Sequence, residues 1–241
     1  MTRHHLAEFY MLEVELIDMN NLEELLDLTE KMIKQVIINT FKNFNSSQIF
    51  EQINKSEYGQ MKGNKKNKIP KDYKEFILNL AQVSFKRITY RAAIDLLNEK
   101  KPNSIKYGDD FNKEQEKLLT EYFDQTPVFV TNYPKILKPF YMRQNLEQPD
   151  LVDNFDLLAP YVGEIVGGSL REFRYDLLLE AMERQKLNLD DYKSYLETKK
   201  FGSMKMGGFG LGLERLIQFL LNIENIKDTC AFPRSIYNCK M

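Results

Sequence analysis

The residues most able to do chemistry sit in the last third of the chain. Gly208-Phe209-Gly210-Leu211-Gly212-Leu213-Glu214-Arg215 alternates glycines and then enters a helix pattern. Alternating glycines let a backbone come close to a ligand, and a helix N-terminus offers free N–H groups and the positive end of a dipole to an anion. A nucleotide is the natural guest, with Arg215 as a fixed cation on the first helical turn. The run lacks the third glycine of a dinucleotide fingerprint and the Lys-Ser/Thr of a P-loop, so neither of those folds is supported. Taken alone it serves equally well as a tight strand-helix junction with a surface arginine. Asp156 and Glu164 each lie in an extended, largely apolar segment, Phe155-Asp156-Leu157-Leu158 and Gly163-Glu164-Ile165-Val166. Two carboxylates in such a setting need a countercharge, and a hard divalent cation carried by phosphates provides one, so Mg-ATP fits. Arg171, just after Gly167-Gly168-Ser169, is placed for a two-pronged bond to a small carboxylate or amide, or for a salt bridge at a helix start. His4 and His5, the two histidines of the chain, run into a strand whose odd-numbered face carries Phe9, Met11, Glu13 and Glu15. A contact with ligand and a structural role are equally open for them.

The elements that must position these groups follow from periodicity. Tyr10, Leu12, Val14 and Leu16 alternate with the odd-numbered face, as in a strand with one apolar side. Asn20 and Asn21, followed by Glu23 and Glu24, offer a cap for a long amphipathic helix through Leu22, Leu25, Leu26, Thr29, Met32, Ile33, Val36 and Ile37. From about residue 43 to 74 the composition turns to Asn, Ser, Gln, Gly and Lys, which predicts a surface insertion with helix on its flanks. Helices are expected over Thr89 to Asn98 and Asn112 to Phe123, the latter with Asn112 and Gln115 in capping-box spacing. Extended segments are expected at Pro127 to Asn132, Lys138 to Asn145, Val152 to Leu158 and Gly163 to Ser169. These arrive without helices between them, which favours an antiparallel sheet. Further helices are expected over Arg171 to Gln185, Leu189 to Thr198 and Leu213 to Asn222. The expected class is α+β, with no internal repeat and no second domain.

Composition narrows the function. The 241 residues carry 34 Lys and Arg against 35 Asp and Glu, and 43% are hydrophobic. That is enough to build a core and excludes a disordered tail or a collagenous chain. A net charge of -1 argues against a DNA-wrapping or polybasic protein, while leaving room for a shaped RNA. Two cysteines, Cys230 and Cys239, are too few for a disulfide scaffold and are not in CxxC spacing. No apolar run approaches the ~20 residues that span a bilayer, and the start does not read as a signal peptide.

In this order the pieces resemble the catalytic domain of class II aminoacyl-tRNA synthetases, most closely the asparaginyl-tRNA synthetases of bacterial and mitochondrial type. The likeness is carried by His5-Leu6-Ala7-Glu8-Phe9 with Glu13 and Glu15, Asn132-Tyr133-Pro134, Lys138 to Arg143, Asp156 to Pro160, Gly163 to Ser169, Arg171-Glu172, Gly208 to Arg215, Asn225 to Asp228 and Phe232-Pro233-Arg234. It covers nearly the whole chain apart from the Lys-rich insertion. The resemblance implies an antiparallel sheet flanked by helices, with ATP and asparagine bound on the sheet. It implies that His5 meets the terminal phosphate, Phe9 stacks on adenine with Glu8 beside it, and Gly210, Gly212, Leu213, Glu214 and Arg215 complete the ATP site. Asp156 and Glu164 would hold magnesium; Glu13, Arg171 and Gly168 would receive asparagine; Arg215, Glu164 and Arg171 would carry the catalysis. The implied partners are tRNA(Asn) and a second copy of the protein, with no membrane and no DNA, in the cytoplasm or the mitochondrial matrix.

The departures from the pattern shape the expectation further. The family's Phe-Arg-x-Glu strand, whose arginine contacts the α-phosphate, would precede His5, and the chain opens inside the strand that follows it. The anticodon-binding OB-fold is likewise expected to be absent. Lys205-Met206-Gly207-Gly208 stands where a Pro-His-x-Gly turn is usual, and His4 where an arginine is usual. The expectation is thus a catalytic domain truncated at its N-terminus, inactive in tRNA charging as these 241 residues alone. Two other functions compete: a non-catalytic paralogue used as a binding or assembly module, and an ATP-dependent asparagine synthetase-like enzyme.

Overall fold

Local sequence sets where the helices begin. Asn21 Oδ1 accepts the Glu24 N–H at 3.0 Å, Thr89 accepts from Ala92 N–H, and Asn112 and Gln115 form a reciprocal capping box. Each satisfies N–H groups that a helix start otherwise leaves unpaired. The computed structural model describes residues 5–43 and 69–234. In chain order its elements are β1 (Met11–Ile17), α1 (Leu22–Asn43), α2 (Tyr73–Leu80), β2 (Lys86–Thr89), α3 (Tyr90–Lys100), α4 (Lys113–Tyr122), β3 (Val128–Thr131), β4 (Asn154–Ala159), β5 (Gly163–Leu170), α5 (Tyr175–Arg184), α6 (Lys193–Lys200), β6 (Met206–Gly212) and α7 (Leu213–Leu221). Short 3-10 turns lie at Lys135–Leu137, Leu189–Tyr192 and Ile226–Thr229. Most of the Lys/Asn-rich insertion, residues 44–68, lies outside the described residues, as do His4 and Cys239.

Among the described residues the strands form one sheet in the order β1-β6-β5-β4-β3-β2. Its neighbours are antiparallel except β2 and β3, which run parallel. The sheet is therefore mixed, and β2 is a strand that periodicity did not mark. Lys86-Arg87-Ile88-Thr89 is short and mostly exposed at the sheet edge, so it carries no apolar face to read. The long connection through α3 and α4 supplies the crossover that a parallel pair requires. Lys138 to Asn145 also differs from expectation: it makes isolated bridges, Met142 with Arg171 and Gln144 with Val152, rather than a strand.

Helices cover one face of the sheet along its centre and only part of the other. Phe155, Leu157, Val166, Phe209 and Leu211 point to one side, where α1 covers them with Leu25, Leu26, Ile33 and Ile37 and α7 with Leu216 and Phe219. Each of those four α1 side chains is wholly buried, contributing up to about 1.5–3 kcal/mol. On the opposite side, Val128, Val130 and Leu158 pack under α3 and α4. That second layer stops at β4. Beyond it, the same face of β4, β5, β6 and β1 borders a cavity.

Candidate active site

The register of the sheet builds this cavity from the residues upward. Asp156 pairs with Gly167, Gly167 with Gly210, and Gly210 with Glu13. The row Glu13, Gly210, Gly167, Asp156 therefore crosses four strands, with a carboxylate at each end and no side chain between. At a strand spacing of about 4.8 Å the two acids stand roughly 14 Å apart. A Cβ on Gly210 would meet Met11 Cε at 2.7 Å, and one on Gly167 would meet Glu164 Oε1 at 3.2 Å, so both positions keep the floor flat for a ligand. The cavity has a volume of about 550 Å³. Of the residues named from the sequence or through the resemblance, His5, Phe9, Glu13, Asp156, Glu164, Gly168, Arg171, Gly210, Gly212, Glu214 and Arg215 line it, together with Lys138 and Tyr141.

Glu164 reaches the floor because of an irregularity. Leu157 pairs with Val166 but Leu158 pairs with Glu164, which leaves Ile165 as an extra residue. Strict alternation from Gly167 would turn Glu164 toward the opposite face; the bulge re-aims it to the side of Asp156. Both carboxylates then converge over Gly167, with Glu164 Oε1 at 3.2 Å and Asp156 Oδ1 at 3.7 Å from the point a Cβ would occupy. Glu164 is steadied by Arg215, whose Nη1 donates to its carbonyl oxygen at 2.8 Å and lies 3.3 Å from Oε2. Burial pushes the Asp156 carboxyl up to about 6; Lys138 opposes that rise, Glu164 adds to it, and hydrogen bonds from Lys138 and Tyr133 again oppose it. Each carboxylate has a cation at one oxygen, Lys138 at Asp156 and Arg215 at Glu164, and the two oxygens left facing one another over the glycine are hard donors of the kind that could hold a divalent cation.

The remaining predicted residues fall into three groups. Arg171 is not at a helix start: its N–H donates to Met206 O at 2.8 Å, which extends the β5-β6 pairing, and α5 begins only at Tyr175. Its guanidinium donates through Nε to Glu15 at 3.1 Å, through Nη2 to the same carboxylate, and through Nη1 to Ser169 Oγ at 2.8 Å. Glu214 lines the cavity, yet both of its oxygens accept the Tyr10 N–H, at 3.0 and 3.2 Å, so it also ties α7 to the approach to β1. Glu8 and Leu213 do not line the cavity; Glu8 pairs with Arg234 at 2.7 Å, and the Leu213 N–H donates to Tyr10 O.

Glu15, Ser169 and Lys138 were missed as site residues. Glu15 shares the odd face of β1 with Glu13, a signal that was legible. Lys138 and Ser169 stand inside blocks that carry the family resemblance and Ser169 is two strand positions from Arg171, but the contact of Lys138 with Asp156, 18 residues away, is made only in the folded chain.

The chain resembles proteins of known identity. A curated relative from Dictyostelium discoideum, "Probable asparagine--tRNA ligase, mitochondrial", is 40% identical over 247 residues, covering 99% of this chain and 50% of the relative. The asparagine–tRNA ligase of Clostridium tetani is 40% identical over 237 residues, covering 97% and 48%. The chain thus spans about half the length of the curated relatives it matches. A crystal structure of asparaginyl-tRNA synthetase from Pyrococcus horikoshii, complexed with asparaginyl-adenylate, superposes with a TM-score of 0.85 at 34% identity, over 100% of this chain and 50% of that one. Among the described residues no helix is long and apolar enough to cross a membrane. The family model for class II tRNA synthetases (D, K and N) matches residues 1–236, and with the sheet and the cavity described above the chain belongs to that family.

Proposed function

We propose that the chain forms the ATP- and asparagine-binding catalytic domain of an asparagine–tRNA ligase, which activates asparagine as its adenylate and transfers it to tRNA(Asn). The observation that carries this reading is the flat glycine floor between Glu13 and Asp156, with Arg215 and Arg171 at its edges. In the first step the asparagine carboxylate attacks the α-phosphate of ATP, forming a carboxyl-phosphate bond and releasing pyrophosphate. In the second, the terminal ribose hydroxyl of tRNA attacks the activated carbonyl and AMP leaves. Neither step uses a side-chain nucleophile, so the residues act by positioning and by offsetting charge.

Phe9, with 58% of its surface exposed at the cavity rim, offers a ring for adenine to stack on. His5 and Arg215 are the groups for phosphate oxygens. Glu13 accepts from the side-chain amide N–H, and Arg171 donates to the amide oxygen; an acceptor at the nitrogen favours asparagine over aspartate, whose carboxylate it repels. Asp156 and Glu164 would hold magnesium, which when bound offsets phosphate charge. A second copy of the protein and tRNA(Asn) are the partners this reading implies.

The experiment is asparagine-dependent exchange of label between pyrophosphate and ATP, using the complete coding region that contains these residues. Exchange with asparagine, and far less with aspartate, is the expected result. Exchange that follows aspartate or lysine instead would assign the chain to another member of the family.

The metal reading also predicts a pH dependence. The raised Asp156 carboxyl means that the folded chain binds its proton more tightly than the unfolded chain does. The stability from that proton is complete below about pH 4 and is lost as pH rises through about 6. A divalent cation prefers the ionised form, so its effect has the opposite sign. Magnesium is expected to raise the melting temperature at about pH 7.5 and to do little at about pH 5; equal increments at the two pH values would place the cation elsewhere.

A further inference from the structure

Lys138 is a cation at the cavity wall that the proposed reaction leaves without a task. It follows the 3-10 turn Lys135–Leu137, and its side chain is 14% exposed. Its Nζ lies 2.6 Å from Asp156 Oδ2 and 3.9 Å from the centre of the Tyr133 ring. Tyr133 is itself buried, and its backbone N–H donates to Asn154 Oδ1 at 3.0 Å, beside Asp156 on β4. The Lys138 carbonyl accepts from Gln185 Nε2 at 3.0 Å, so the backbone is tied to the end of α5 while the ammonium is held on β4.

The two carboxylates over Gly167 are restrained in matching fashion. Lys138 takes the outer oxygen of Asp156, Oδ2, and Arg215 takes the outer oxygen of Glu164, Oε2. The oxygens left facing Gly167 are Asp156 Oδ1 and Glu164 Oε1. A carboxylate free to rotate about χ2 would present either oxygen, or neither, to the floor; one held at its outer oxygen presents the inner one. Ligating carboxylates are commonly aimed by hydrogen-bond partners of this kind, and losing the partner typically costs 10- to 100-fold in metal affinity. A lysine that merely neutralised the site as a competitor would have no reason to bind only the far oxygen.

We propose that Lys138 is a positioning residue for the divalent cation, holding Asp156 Oδ2 so that Oδ1 faces Glu164 over Gly167. The inference rests on the assignment of Asp156 and Glu164 as magnesium ligands, and it adds to that assignment the residue that aims one of them.

The test uses Mn2+ as probe, with a non-hydrolysable ATP analogue, read by the enhancement of water proton relaxation on titration of the folded protein. Lys138→Met is expected to weaken Mn2+ by 10- to 100-fold, and Lys138→Arg, which keeps a donor and a charge, to stay within about threefold. Unchanged or tighter binding in Lys138→Met overturns the proposal, because it identifies the lysine as bystander or competitor. If Lys138→Met shows no cooperative melting transition, Lys138→Gln is judged by the same criteria. Asp156→Asn separates the two levels: a Mn2+ signal insensitive to it overturns the metal assignment and the inference together, whereas a signal that Asp156→Asn removes and Lys138→Met spares overturns the inference alone.

Discussion

Alanine at Gly168 is expected to lower the melting temperature by roughly 10 °C, while alanine at the adjacent Gly167 leaves it nearly unchanged. The two glycines sit side by side on β5 and face opposite sides of the sheet. A Cβ at Gly168 would lie 2.5 and 2.6 Å from ring carbons of Phe155 and 2.8 Å from Phe209 Cβ. Both aromatics are buried, and Phe155 stacks edge-on against Phe129 with centroids 5.4 Å apart, so neither has room to withdraw. Overpacking of this kind costs about 3 kcal/mol at the upper end of its usual range, and each kcal/mol is worth about 2–4 °C in a domain of this size. At Gly167 the nearest atoms are carboxylate oxygens, Glu164 Oε1 at 3.2 Å and Asp156 Oδ1 at 3.7 Å, which belong to side chains able to turn aside. Turning aside separates the inner oxygens, so Gly167→Ala is expected to fold and to lose the stabilisation by magnesium at neutral pH. Thermal melts of both variants with and without magnesium check the pair. Equal loss of stability at the two positions would contradict the facing of β5 described here.

Replacing Arg215 by methionine is the second large effect, and it should fall on ligand binding rather than on folding. The guanidinium bonds Glu164 at its carbonyl and approaches its carboxylate, and about a quarter of the side chain is open to the cavity side. Its salt bridge is too exposed to contribute much to stability. A charged hydrogen bond to phosphate is worth about 2–3 kcal/mol, which is roughly 30- to 150-fold in Kd for ATP. Calorimetric titration with ATP is the measurement. Arg215→Lys is expected to fall between, because an ammonium keeps the charge but cannot bond Glu164 and a phosphate oxygen in one plane. ATP affinity unaltered by Arg215→Met would remove this arginine from the phosphate site.

Much of the fold was legible because it is written locally. The caps at Asn21 and Asn112 were readable from spacing, since a side chain that bonds a backbone three residues away needs no tertiary partner. The even face of β1, the glycine strand β6 and the helix α7 were readable from periodicity. So were the ingredients of the cavity, Glu13, Asp156, Glu164, Arg171 and Arg215, because polar and charged residues stand out in apolar segments. The Arg171 helix start was misplaced by four residues, since helical periodicity continues backward into the strand end and nothing local marks where pairing with β6 stops. β2 escaped because four residues at a sheet edge show no pattern of their own.

What was settled in the amino-acid sequence is the supply of groups: three acids, two arginines and a run of small residues that can lie flat beneath a ligand. Which of them meet is a tertiary property. The bulge at Ile165 turns Glu164 onto the face of Asp156, and the approach of the Lys135–Leu137 turn sets Lys138 on the far oxygen of that aspartate. The reason is physical: side-chain direction in a strand has a period of two, so one extra residue reverses it, and whether that residue is accommodated depends on pairing with a strand elsewhere in the chain.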